Sequence, residues 1–165
     1  MAKCPQHTFT ILTKRPQRAA AWPGFWTPNI QMGTSVEDCR SLHRLDDLRP
    51  CAAQTLLVSF EPLLEDLGPV DLAGYAWALV GSESGPNARP MDDEWVRSLL
   101  RQCLAQHIAF FFKQRLVQGR KDEQPLLDGV RWAQFPTRQT AKSGAVDHPA
   151  PPSLWAAEGP YEPIS

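Results

Sequence analysis

Long apolar runs are missing from this chain. No stretch approaches the roughly 20 residues needed to span a bilayer, and Met1-Ala2-Lys3-Cys4-Pro5-Gln6-His7 lacks the apolar core of a signal peptide. Net charge is also missing. Across 165 residues, 17 basic and 18 acidic side chains leave a formal charge of -1, so no global basic field favours nucleic acid, although a local patch stays open. Cysteine is scarce and scattered. Cys4, Cys39, Cys51 and Cys103 form no C-x-x-C and no tight group, which favours free thiols that fill space over a disulfide framework or a metal site. His7, His43, His107 and His148 show no paired ligand spacing. The G-x-S-x-G elbow and the G-x-G-x-x-G phosphate loop are absent as well, which removes the simplest serine hydrolase and dinucleotide expectations. A cytoplasmic, single-domain protein with a real core is what these absences leave.

What the chain does have is a repeated short apolar run. Phe9-Thr10-Ile11-Leu12-Thr13, Ile30-Gln31-Met32-Gly33-Thr34, Leu56-Leu57-Val58-Ser59-Phe60, Trp77-Ala78-Leu79-Val80-Gly81 and Ile108-Ala109-Phe110-Phe111-Phe112 are strand-length and nearly continuous in apolar character. Such strands, alternating with helical stretches, imply a parallel sheet covered by helices. Pro16 suits the first turn of a helix running to Trp22, and Pro23-Gly24 stops it. Cys39, Leu42, Leu45 and Leu48 recur every three residues, which predicts one or two short helical pieces ending at Pro50. Gly68, Pro69 and Gly74 forbid a long helix after the third strand. The clearest helix is Asp92 to Gln106, with Met91, Trp95, Leu99 and Cys103 on one wide apolar face and three acids in the first turn. Asp128-Gly129 marks a small hairpin within 126–132. From about Thr137, proline with small and polar residues predicts a disordered tail over 137–165, set apart from the folded unit 1–136.

In sheets of this kind the ligand site lies beyond the carboxyl ends of the strands. Each apolar run here ends on groups that can do chemistry. Lys14 and Arg15 follow the first strand and could hold a phosphate or carboxylate, or merely be solvated. Ser35 and Glu37 follow the second; Glu37 is either a ligand contact or an acid at a helix start. Glu61 follows the third, fixed by Pro62, where burial or a cation would set its protonation. Gly81-Ser82-Glu83-Ser84-Gly85-Pro86 after the fourth lets a ligand approach the backbone, or is a plain turn. Lys113 and Gln114 close the fifth.

Taken in order, Leu12-Thr13-Lys14-Arg15-Pro16, Gly33-Thr34-Ser35-Val36-Glu37-Asp38, Ser59-Phe60-Glu61-Pro62-Leu63, Gly81-Ser82-Glu83-Ser84-Gly85-Pro86 and Phe111-Phe112-Lys113-Gln114 carry a resemblance. Ala88-Arg89-Pro90-Met91 and Leu127-Asp128-Gly129 add to it. The chain resembles, over roughly residues 5–136, the family named after phage gene products 37 and 68, a domain of unknown function. Members of that family look like radical S-adenosylmethionine proteins with an N-terminal cysteine cluster that would hold iron and sulfide. The resemblance therefore implies a partial, half TIM-type barrel. It also implies cofactor or substrate contacts at Lys14, Arg15, Ser35, Glu37, Glu61, Ser82, Glu83, Ser84, Lys113 and Gln114. S-adenosylmethionine and an iron–sulfur cluster are implied for intact members.

This chain departs from the family's pattern in lacking the cysteine-bearing segment. Ser82 also replaces a usual glycine, and Arg115 stands where tryptophan is common. The expectation is a C-terminal portion of a family member, inactive alone, with no cofactor of its own and an exposed sheet edge prone to self-association. Two other functions remain open on the residues. One is a small anion- or nucleic-acid-binding module using Lys14, Arg15 and Lys113. The other is a carboxylate-dependent hydrolase using Glu61 and Glu83.

Overall fold

The computed structural model describes residues 1–136. Expectations about the tail over 137–165 therefore lie outside the described residues. All five apolar runs form strands: β1 (Phe9–Thr13), β2 (Ile30–Ser35), β3 (Thr55–Phe60), β4 (Trp77–Gly81) and β5 (Ala109–Val117). They pair in parallel and in sequence order, β1-β2-β3-β4-β5. That order follows from right-handed crossovers, each of which returns the chain beside the strand it left. A sixth strand, β6 (Arg120–Glu123), pairs antiparallel to the end of β5, and the curled sheet makes a half-barrel.

The crossovers explain why one face is covered. Helix α1 (Pro16–Ala20), with proline in its first turn, and helix α2 (His43–Leu48) pack together against β2. A 3-10 turn at Cys39–Ser41 precedes α2, and Asp38 caps it by accepting from the Ser41 N–H at 3.0 Å. Helix α3 (Asp93–Ala105) begins on Asp92, whose carboxylate accepts from the Glu94 N–H at 2.8 Å, and it buries Val96, Leu99, Leu100 and Cys103. The β3–β4 connection has no helix, as its glycines and prolines predict. It packs Leu63, Leu67, Val70, Leu72 and Tyr75 into the same layer instead. Its backbone would be orphaned there without α3. Gln102 accepts from Val70 N–H at 2.6 Å and donates to Gly68 C=O at 3.0 Å, while Gln106 does the same for Leu72 and Val70 at 2.8 and 3.0 Å. Two glutamine amides thus supply the bonds a helix would have made internally.

Alternation along the strands sorts the two faces. Met32, Val58, Phe60, Ala78, Val80, Phe110 and Phe112 point into the helix-covered core. Leu57, Trp77, Leu79, Ala109 and Phe111 lie on the opposite face. At the amino-terminal end of that face, Trp77 and Phe111 meet edge to face at 6.1 Å, and the Phe135 ring stands 5.3 Å from each. Gly33 sits on the same face, where an added Cβ would come within 2.7 Å of both Leu57 and Leu12. The expected hairpin is present as β7 (Leu126–Leu127) and β8 (Val130–Arg131), turned by Asp128 and Gly129 at positive φ.

Two details differ from the sequence expectation. The fifth strand does not stop at Phe112; it runs on through Lys113 and Gln114 to Val117 because β6 continues the pairing. Its turn is Gln118-Gly119, both at positive φ, the conformation a two-residue hairpin requires. The first helix is shorter, ending at Ala20 rather than Trp22.

Candidate functional site

Parallel pairing brings every strand's carboxyl end to one rim. Along it the register aligns Thr13 with Thr34, Ser35 with Ser59, Phe60 with Val80 and Gly81 with Gln114. The predicted site residues follow these positions, and the charged ones among them, Arg15 excepted, fall in three ion-paired groups.

The first joins β1 to β2. Glu37 pairs with Lys14, and Arg44 from α2 donates to Glu37 at 2.8 Å and to the Ser35 carbonyl at 2.7 Å. Burial alone would raise the Glu37 carboxyl, but hydrogen bonds and charge from Lys14 and Arg44 outweigh it and hold the group below the ordinary carboxylate range. Glu37 is therefore not the helix-capping acid; Asp38 does that work. Of the neighbouring candidates, Ser35 contributes its carbonyl, and exposed Arg15 has no ion-pair partner among the described residues.

The second group joins β3 to β5. Lys113 lies 2.9 Å from Glu61 Oε2, and the Ser59 hydroxyl donates to Glu61 Oε1 at 3.1 Å. Gly81 makes room for it, since a Cβ there would stand 3.2 Å from Glu61 Oε2 and 3.2 Å from Gln114. Gln114 is structural at this point: its amide donates to the Ser82 carbonyl at 3.1 Å, and its own carbonyl accepts from Ser82 N–H at 3.1 Å.

The loop after β4 forms a third cluster. Arg89 grips Glu83 through two side-chain bonds of 2.6 and 2.8 Å and a backbone N–H at 2.9 Å. Arg89 holds the Glu83 carboxyl down to about 2. Ser84 lies on the same loop with no side-chain bond among the described residues.

Arg44 and Arg89 were missed as site residues. Arg44 lies inside a short helix and Arg89 in a loop, both outside the strand ends from which the candidates were read. The only signal that could have found Arg44 is its distance of seven residues from Glu37 across a helix start.

An α/β half-barrel carrying charged pairs on its carboxyl rim is the class this fold and site define. Residues 1–136 match DUF5131, a family of proteins of unknown function, and the chain belongs to that family. No curated protein and no solved structure matches it. No helix among the described residues is long and apolar enough to cross a membrane.

Proposed function

We propose that the rim binds a small zwitterion, and that this chain is the ligand-holding part of a TIM-type, radical S-adenosylmethionine-like protein. One observation carries the binding. The Glu37 and Glu61 side chains are only 11% and 13% exposed, while their lysine partners Lys14 and Lys113 are 62% and 49% exposed. The carboxylates are held from behind by Arg44 and Ser59, so the lysines are the members free to swing out. A ligand ammonium can replace Lys113 at Glu61 while the released lysine meets the ligand's carboxylate. No buried charge is left unpaired in that exchange, which avoids the main cost of opening an ion pair. The amino-acid end of S-adenosylmethionine carries this pair of charges, and the family resemblance carried by the strand-end motifs implies that molecule for intact members.

An iron–sulfur cluster does not fit these residues. Such a cluster needs several thiolates together, whereas Cys51 and Cys103 are buried in the core, Cys39 is exposed beyond β2, and Cys4 lies in the amino-terminal loop. No step is routed through a cluster, and binding without turnover is what we propose for this chain by itself. The two other functions gain no support from the geometry. Glu83 is locked by Arg89, far from the protonation range of a general acid at neutral pH. A bare anion would have to draw Lys14 or Lys113 away from a largely buried glutamate and leave that carboxylate unpaired, which a zwitterion does not.

Isothermal titration with S-adenosylmethionine tests the proposal. Binding is expected, and Glu61→Gln should weaken it by about tenfold, the worth of one charge-assisted hydrogen bond. Absence of binding, or equal affinity in Glu61→Gln, would reject it.

A further inference from the structure

Beyond the rim, a cleft of about 1050 Å³ opens between the β4–α3 loop, the first turn of α3 and the β5–β6 hairpin. It is large enough for a small organic molecule, and none of Lys14, Glu37, Glu61 or Lys113 lines it. Its walls are mostly apolar, with Pro86, Pro90, Met91 and Trp95 on one side and Leu116 and Val117 on the other.

Two lining residues carry an unmet hydrogen-bonding demand. Ser82 is 4% exposed, and both its backbone groups are used by Gln114, yet its hydroxyl has no partner. Arg115 donates from Nη1 to Asp93 at 2.8 Å, and the Asp122 carboxylate lies 3.4 Å from its buried Nε, near enough to pair with the charge but not aligned to accept a hydrogen bond. Buried polar groups in folded proteins are nearly always satisfied. The orphaned Ser82 hydroxyl therefore points to a missing partner, to which it can donate.

The surrounding charge narrows its chemistry. The cleft's own lining is balanced, Asp92 and Asp93 against Arg89 and Arg115, and each arginine is already paired. An anion would find no free cation to meet it. A cation without an acceptor would leave the hydroxyl unmet. We infer that the cleft binds an uncharged flat ring bearing a carbonyl acceptor, the carbonyl taken by Ser82 Oγ and the ring lying among Trp95, Met91 and the two prolines. This site is separate from the zwitterion rim and stands or falls without it.

Three probes of one shape and different charge test this: benzamide, benzoate and benzamidine, titrated into the full chain and followed by amide and indole NMR shifts. Benzamide should bind best and shift the Trp95 indole. Ser82→Ala should weaken it roughly fivefold, the worth of one neutral hydrogen bond. Folding should be unaffected, because the hydroxyl it removes bonds to nothing. Ala88→Phe, which adds a ring to the lining, should abolish binding. If that variant does not fold, Ser82→Ala alone decides. Failure of benzamide to bind, binding no tighter than benzoate or benzamidine, or affinity unchanged in Ser82→Ala would overturn the inference.

Discussion

The two faces of the sheet are built from the same strands but stabilised differently. On the helix-covered face, Val58, Phe60, Ala78, Val80, Phe110 and Phe112 are fully buried within a cluster that also takes in α2, α3 and the β3–β4 connection. The other face holds a smaller cluster, Leu57, Trp77, Ala109 and Phe111, with Leu79 only partly buried, and towards the rim it turns polar at Ser59 and Glu61. The lesson is a division of labour. Stability is concentrated where helices return, and chemistry is left where none do.

A pair of truncations breaks or sharpens that contrast most strongly. Phe112→Ala on the covered face should cost about 3–5 kcal/mol, because the cavity is enclosed on all sides. Leu79→Ala on the open face should cost about 1–2 kcal/mol, below the usual range for a fully buried leucine. Urea unfolding measures both, and equal losses would mean the open face is as tightly packed as the other. Next comes Lys113→Met at the rim. The lysine is half exposed, but its loss leaves the largely buried Glu61 with Ser59 alone, so the cost should be about 1–3 kcal/mol. A much larger loss in the same unfolding experiment would make Lys113 a structural residue.

The free strand tests the contrast at its border. β1 has β2 on one side and no strand on the other among the described residues, and Leu12 is exposed there. Leu12→Lys should change stability by no more than about 0.5 kcal/mol yet lower the concentration-dependent self-association expected of a bare edge. Light scattering across a dilution series reads this, and identical profiles for both proteins would remove the edge from consideration. The smallest effect is on the β4 loop. The Glu83 carboxyl sits at about 2, against an ordinary value of 4.5, so its contribution is present above about 4.5 and fades as pH falls toward 2. A carboxyl-detected NMR titration should show the low midpoint in the parent chain, and Arg89→Ala should return it to the ordinary range.

The middle of the parallel sheet was legible because β3, β4 and the first half of β5 are buried on nearly every position and so read as unbroken apolar runs, whereas β1 alternates half-buried and exposed residues. β6 was not, for the opposite reason. Arg120-Lys121-Asp122-Glu123 has no apolar residue and forms a strand only because β5 offers it an edge. Gln118-Gly119 is a less obvious hairpin turn than Asn-Gly, so nothing local announced the reversal. At the rim, the positions of Lys14, Glu37, Glu61 and Lys113 could be read from strand ends, because parallel strands bring all such ends together. Their pairing could not, since Lys113 and Glu61 lie fifty-two residues apart and meet only through the register of β3, β4 and β5. Nor could the orphaned Ser82 hydroxyl be read, because whether a buried donor finds an acceptor is settled by packing and not by composition.

The far border of the sheet is finished off in a way the near border is not. Beyond β5, β6 takes the upper half and residues 132–134 the lower: Phe112 N–H donates to Trp132 C=O at 2.8 Å, and Gln134 N–H to Phe110 C=O at 3.0 Å. Both segments run against the direction of the five parallel strands, and the upper one is charged throughout. In the language of polymer chemistry, the two ends of the described sheet differ in reactivity: β1 offers an unpaired edge with Leu12 exposed, whereas β6 ends the other side on charged residues alone. Among the described residues, joining through strands is therefore expected at β1 before β6. Growth past a pair would need the charged end to react as well.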